Sequence, residues 1–319
     1  MTSLESEESS SWTEEEWKSL LDAIYFKQCT PFLGAGACAG TLPTGKAIAR
    51  EWADEFGYPF SDKENLPRVA QYMAITQGLV GSLGPKFNLR RRFDGKGPPD
   101  FEREEEPHRV VADLELPVYI TTNYDNFMLA ALERDRRRQP VREVCQWKRP
   151  QMLATLSSQG NRRPAPRARV EPTSQRPLVF HLHGVLDPAE SMVLTEDDYL
   201  DFLTNISETP NLLPSYVQER LSNSCLLFLG YSLNDMNFKV LFRRLAWYMQ
   251  RTEGTRHISV QLAPHGASDA QEERRMFRKQ REYLETHYGL QKVKIYWGSC
   301  AQFAADLSVR WKAYRAQNH

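Results

Sequence analysis

The sequence predicts an α/β protein: a doubly wound, mostly parallel sheet carrying a smaller inserted helical lobe. Three observations lead there. Short apolar runs alternate with segments of helical spacing along the chain. Four of those runs, within "CTPFLG", "PVYITTNYD", "PLVFHLHG" and "CLLFLGYSLND", break into Gly or polar residues, as buried strands do at their carboxyl ends. No repeat of fixed period competes with that order.

Taken in order, residues 1–12 are acidic and Ser-rich, the composition of a flexible tail. Residues 13–319 read as one domain. "TEEEWKSLLDAIYFK" has helical apolar spacing, with Thr13 and Glu16 in capping-box relation. "CTPFLG" is a buried strand, and "TGKAIAREWADEFG" an amphipathic helix from near Thr44 to Gly57. Residues 58–110 hold helical fragments around the Gly/Pro-rich "DGKGPPD"; with residues 186–222 they are expected to form the helical lobe. Val118-Tyr119-Ile120 is the next strand, followed by the helix "NFMLAALERD". Residues 134–176 are basic, broken by Pro and Gly, and expected to be the least ordered stretch. "PLVFHLHG", "SCLLFLG", "HISVQLAP" and "VKIYWG" are further strands, separated by helical segments that include a long charged one at 268–289.

Composition sets bounds. With 319 residues, 41% hydrophobic and 26% charged, the chain reads as an ordinary globular protein. Its formal net charge is zero, so no whole-molecule field draws it to nucleic acid or a membrane surface. No apolar run is long enough for a bilayer and residues 1–25 lack a signal-peptide core, so a cytoplasmic location is expected. Cys29, Cys38, Cys145, Cys225 and Cys300 are scattered with no C-x-x-C pair, against both a disulfide framework and a four-cysteine zinc module.

In such folds ligands bind beyond the carboxyl ends of the strands, and there the chemistry collects. Gly34 and Gly36 in "GAGAC" let backbone approach a ligand closely, although the third glycine of a dinucleotide fingerprint is missing. "TGK" at 44–46 is not a P-loop. In "TTNYD", Asn123 can bond a ribose hydroxyl or a water and Asp125 can accept from an amide; the alternative is an Asx turn capping the next helix. "FHLHG" sets His181 and His183 on one strand face. No third residue completes a metal set, so no metal is expected, and His183 beside Gly184 is placed for acid–base work or, alternatively, as a structural residue. "GYSLND" adds Ser232 and Asp235, as ligand contacts or as a helix cap.

The ordered set "GAG…LP", "TTNYD", "HG" and "GYS" resembles the sirtuin superfamily, most nearly the sirtuin-like domains of bacterial anti-phage defence systems. The resemblance spans roughly residues 26–310. It implies a Rossmann-type lobe with NAD+ held between it and the helical lobe. By the same match Gly34, Ala35 and Gly36 hold the pyrophosphate, with Cys38 and Pro43 in the same motif. Asn123 and Asp125 lie by the nicotinamide ribose and carboxamide, flanked by Thr122 and Tyr124. His183 is the catalytic His, and Gly230, Tyr231, Ser232 and Asp235 form the loop on the adenosine side.

The chain departs from the deacylases of that superfamily. It lacks their paired-cysteine zinc module, so no zinc is expected. It has Thr44-Gly45-Lys46 where they have "DFR", and Thr122 where they have Gln. The resemblance therefore implies hydrolysis of NAD+ as substrate, to nicotinamide and ADP-ribose, by an abortive-infection effector. A homo-oligomer is expected, with the trigger supplied by assembly or by a partner such as a hexameric helicase-like ATPase or a short Argonaute. Two rival readings stand beside it. One is a nucleic-acid-binding or nuclease subunit using the Arg-rich 134–169 and Arg90, Arg91 and Arg92; it is not favoured, because Trp147 is the lone aromatic in that stretch. The other is a NAD+ or ADP-ribose sensor without turnover.

Overall fold

The protein is described from a computed structural model over residues 12–78, 81–148, 171–209, 212–233, 238–243, 257–262, 270–290 and 292–318. Its centre is a seven-stranded sheet: β1 Cys29–Leu33, β2 Val118–Thr121, β3 Val141–Val144, β4 Leu178–His181, β5 Cys225–Leu229, β6 His257–Gln261 and β7 Val293–Trp297. The spatial order is β3-β4-β2-β1-β5-β6-β7, and every strand pair is parallel. The chain starts in the middle at β1, adds β2 beside it, runs to the edge at β3, fills the gap with β4, then returns to add β5 on the other side of β1. That reversal makes a topological switch point between β1 and β5.

The apolar runs form strands because both sheet faces are covered. Side chains alternate between two cores as the pleat requires. Leu33, Tyr119, Val179, Leu227 and Leu229 enter one; Phe32, Ile120, Phe180, Leu226 and Phe228 enter the other. The first face is covered by α1 Glu14–Tyr25, α5 Pro107–Ala112, α6 Phe127–Glu133 and α10 Cys300–Gln317, through residues such as Trp17, Val110, Met128 and Phe303. The opposite face is covered by α7 Glu196–Glu208, α8 Ser215–Asn223 and α9 Ala270–Gly289, through Phe202, Val217, Leu221, Phe277 and Leu284. α1 begins with the expected capping box, Thr13 with Glu16, and Ser299 with Gln302 starts α10 in the same way.

The helical lobe has its own core. α2 Gly45–Glu55, α3 Leu66–Thr76 and α4 Leu83–Phe93 close around Trp52, Ala70, Met73 and Leu89, joined by Met192 and Leu194. α2, which follows β1 directly, thus packs with the lobe, whereas α5 and α8 lie on the sheet. One buried ion pair ties the lobe to α7. Lys86, with no exposed surface, donates to Asp198 at 2.8 Å, and Asp198 also accepts from the backbone of Leu194 and Thr195. Burial pulls the Lys86 ammonium down to about 8, against the pull of Asp198. Trp147 packs at this junction, donating from Nε1 to Ser191 O at 2.7 Å while its carbonyl accepts from Asn205.

Part of the stretch expected to be least ordered is strand. Val141–Val144 pairs with Leu178–His181 as the edge strand β3. Its four residues are at most half-buried and two are charged, so it lacks the apolar signature of the inner strands. Residues 149–170 of that stretch lie outside the described residues.

Candidate active site

The carboxyl ends of β1, β5, β2 and β4 bring three of the four sequence motifs into direct contact at the switch point. Gly34 N donates to Leu229 O and Gly36 N to Gly230 O, so the turn after β1 lies flat on the turn after β5. Glycine is demanded by that closeness. A Cβ on Gly36 would sit 2.8 Å from Gly230 Cα. One on Gly230, whose φ is +79°, would sit 2.2 Å from Ala37 N. The freedom expected to serve a ligand is therefore used first to pack one turn on the other. Residues Ala35–Cys38 form a 3-10 turn, and the long helix begins only at Gly45 behind Thr44. Ala35 is exposed and Pro43 half-buried.

The β2 motif crosses to both turns. Thr122 Oγ1 shares a 2.7 Å hydrogen bond with Tyr231 Oη, and Tyr231 also donates to Leu33 O. Asn123 donates from Nδ2 to Gly34 O at 3.0 Å and to Cys38 Sγ at 3.2 Å, which commits both amide hydrogens to the protein. Asp125 Oδ1 accepts from Phe127 N, the helix-capping turn that the sequence offered as the alternative; its Oδ2 accepts from the Cys38 thiol at 3.4 Å. Tyr124 donates to Val193 O, whose own N–H donates to His183 O. That pair joins the β2 end to the β4 end. Ser232 is exposed, and Asp235 lies outside the described residues.

The two histidines occupy different surroundings. β4 ends at His181, whose Nδ1 donates to the backbone carbonyl of Asn123 at 3.1 Å. His183 lies past the strand, in a turn, with its ring edge-on to Tyr199 and Phe202 of α7 at 5.3 and 4.9 Å. Burial lowers His181 to about 4 and His183 to about 3, so both rings are neutral at pH 7. The Nε2 atoms of both are buried with no hydrogen-bond partner among the described residues. An unmet buried polar atom costs about 1–3 kcal/mol, and here two lie at the end of one strand, beside the Asn123 turn. A further such atom among the described residues, Trp52 Nε1, is in the lobe core.

Sequence spacing gave no sign of a further cluster. His108, from α5, points Nε2 at Cys38 Sγ across 3.8 Å and bonds Glu106 Oε1 through Nδ1 at 2.8 Å. Cys38, His108 and Asp125 thereby come together from three separate segments. Burial and then the nearby Asp125 carboxylate push the Cys38 thiol up, so it is not a poised thiolate. A cavity of about 420 Å³ exists elsewhere, between α5, α6 and α10. Its arginines are paired: Arg134 with Glu102, Arg137 with Asp135, Arg138 with Glu115.

An all-parallel, doubly wound sheet with two Gly turns, an Asn and an Asp at its switch point is the α/β arrangement in which ligands bind beyond the strand ends. The chain belongs to the SIR2-like domain family, whose model matches residues 117–288. Two proteins described as NAD(+) hydrolase ThsA are similar to it. That of Enterococcus faecium is 24% identical over 74% of this chain and 44% of its own length. That of Cytobacillus dafuensis is 25% identical over 75% of this chain and 42% of its own. The chain thus spans less than half the length of these curated relatives. A solved structure described as "Structural Basis for the Mechanism and Regulation of Sir2 Enzymes" overlaps 95% of this chain and 100% of its own at 10% identity, with a TM-score of 0.39.

Proposed function

We propose that this chain hydrolyses NAD+ to nicotinamide and ADP-ribose at the β1/β5 switch point, as the effector of an anti-phage system whose activity is held off until a partner or assembly releases it. The observation that carries the reading is the set of polar groups at four strand ends, with two buried imidazole Nε2 atoms that no protein group among the described residues satisfies. The similarity to proteins described as NAD(+) hydrolases supports the choice of substrate.

The geometry suggests roles. Cleavage of an N-glycosidic bond passes through an oxocarbenium-like ribose. With both Asn123 hydrogens engaged, Oδ1 is the atom that accepts from the attacking water or a ribose hydroxyl. The low basicity of His183 makes it a poor proton acceptor in this closed state, since a general base works best near the operating pH. Its neutral ring instead hydrogen-bonds a ribose hydroxyl through Nε2. Asp125, with each oxygen already holding a protein donor, positions the turn rather than the nicotinamide.

Asn123 and Asp125 are 9% exposed and His183 5%. For substrate to enter, α7, which carries Tyr199 and Phe202 and is tied to the lobe through Asp198, must move off the β4 end. Control by a partner then acts at the contact between lobe and sheet. The test is product analysis in oxygen-labelled water, with the chain alone and with the proteins encoded beside it. Nicotinamide plus ADP-ribose carrying the label at C1′ is expected. Tight NAD+ binding with no release under any condition would sink the hydrolase reading and leave a sensor.

A further inference from the structure

The cluster behind Asn123 has a geometry that hydrogen bonding alone does not require. Cys38 Sγ lies 3.8 Å from His108 Nε2 and 3.4 Å from Asp125 Oδ2, and the three atoms fall within 4.8 Å of one another. A tetrahedral zinc ion, with bonds of about 2.3 Å to sulfur and about 2.0–2.2 Å to nitrogen or oxygen, sets such donors roughly 3.5 Å apart. The donors also have backing. His108 Nδ1 is bonded to Glu106 at 2.8 Å, the carboxylate–histidine arrangement that fixes the tautomer of a ligating imidazole. Phe127 N holds Asp125 Oδ1 and leaves Oδ2 to face the sulfur, while Asn123 Nδ2 steadies the sulfur at 3.2 Å.

A second, independent observation concerns charge. Asp125 is 9% exposed, yet among the described residues it is in no salt bridge, whereas Glu106, 6% exposed, has His108 at 2.8 Å and caps the backbone of Arg109. The buried Asp198, by contrast, has Lys86 at 2.7 Å. Buried carboxylates are found paired with a cation or coordinating a metal.

We propose that Cys38, His108 and Asp125 bind a divalent transition-metal ion, zinc by the mixed sulfur, nitrogen and oxygen donor set, with Glu106 orienting His108. The site is distinct in place and ligands from a paired-cysteine module, which this chain lacks. Three protein ligands leave one coordination position for water. Because Asn123 touches the ligating sulfur, the ion also fixes the amide at the end of β2.

The test uses the full chain, stripped with a chelator and titrated with Co2+ as the optical probe, with NAD+ hydrolysis followed separately so that either idea can fail alone. One equivalent of Co2+, a thiolate-to-cobalt charge-transfer band and displacement by Zn2+ are expected. Cys38→Ser removes that band, and Glu106→Gln weakens binding by about 10–100-fold. Circular dichroism and a melting curve establish that each variant is folded. Folded wild type that takes up no stoichiometric Co2+, or uptake unaltered in both Cys38→Ser and His108→Gln, overturns the proposal.

Discussion

The sheet and the helical lobe are held by different means. The sheet is two apolar cores separated by alternating strand side chains, with polar groups gathered mainly at the strand ends, among them the buried His181, His183 and His257. The lobe has a smaller core around Trp52 and Met73, and its fully buried Lys86 pairs with Asp198 of α7 next to Trp147. A large apolar core tolerates a local loss. A small one that buries a charge depends on a single partner. The difference makes the sheet the fixed platform for the site and the lobe the part whose attachment can be altered.

Acid should break the sheet side first, and this is the largest effect expected. Burial lowers His181 to about 4, His183 to about 3 and His257 to about 4, from an ordinary 6.5. Below 6.5 the unfolded chain takes up protons that the folded chain refuses. The stability is therefore complete above that pH and is lost as pH falls through 6.5 toward 4 and 3. Each tenfold fall in proton affinity on folding is worth about 1.4 kcal/mol, so the combined loss between pH 7 and pH 5 amounts to several kcal/mol. Denaturant titrations at the two pH values measure it; equal midpoints would contradict the burial of these rings.

On the lobe side, Lys86→Met strands a buried carboxylate and should cost about 3 kcal/mol, the low end for breaking a buried pair. Proteolysis confined to residues 45–93, with the sheet still protected, would sharpen the contrast; uniform protection would erase it. Gly230→Ala follows, at about 2–3 kcal/mol, because its φ of +79° and the 2.2 Å approach to Ala37 N leave no room for a methyl group. That substitution should also disturb the site, read as weakened NAD+ binding. The smallest effect is Ser299→Ala, which removes the cap of α10 for about 1 kcal/mol with turnover unchanged.

Sequence made the sheet legible where the physics is local. The runs at 29–33, 118–121, 178–181 and 225–229 are strands because burial on both faces leaves only apolar residues there, apart from the odd polar one. β3 carries no such signature, because an edge strand holds Arg142 and Glu143 as readily as a loop does. At the candidate site, the motifs mark turns that lie at the strand ends, yet not the contacts between them. Gly36 packs on Gly230, Asp125 faces Cys38 from 87 residues away, and His183 sits against Phe202. No periodicity encodes such pairs. Lys86 with Asp198, 112 residues apart, and Cys38 with His108, 70 apart, were silent for the same reason. Trp147, the one aromatic available to a nucleic-acid reading, is buried under the lobe with its Nε1 on Ser191 O.

The most direct measurement compares nicotinamide release from NAD+ by wild type, Asn123→Ala and Lys86→Met, each below its melting temperature and with NAD+ binding followed in parallel. Asn123→Ala is expected to bind NAD+ and release nothing, whereas Lys86→Met is expected to release at least as fast as wild type. Undiminished release by Asn123→Ala would place the chemistry somewhere other than the strand ends.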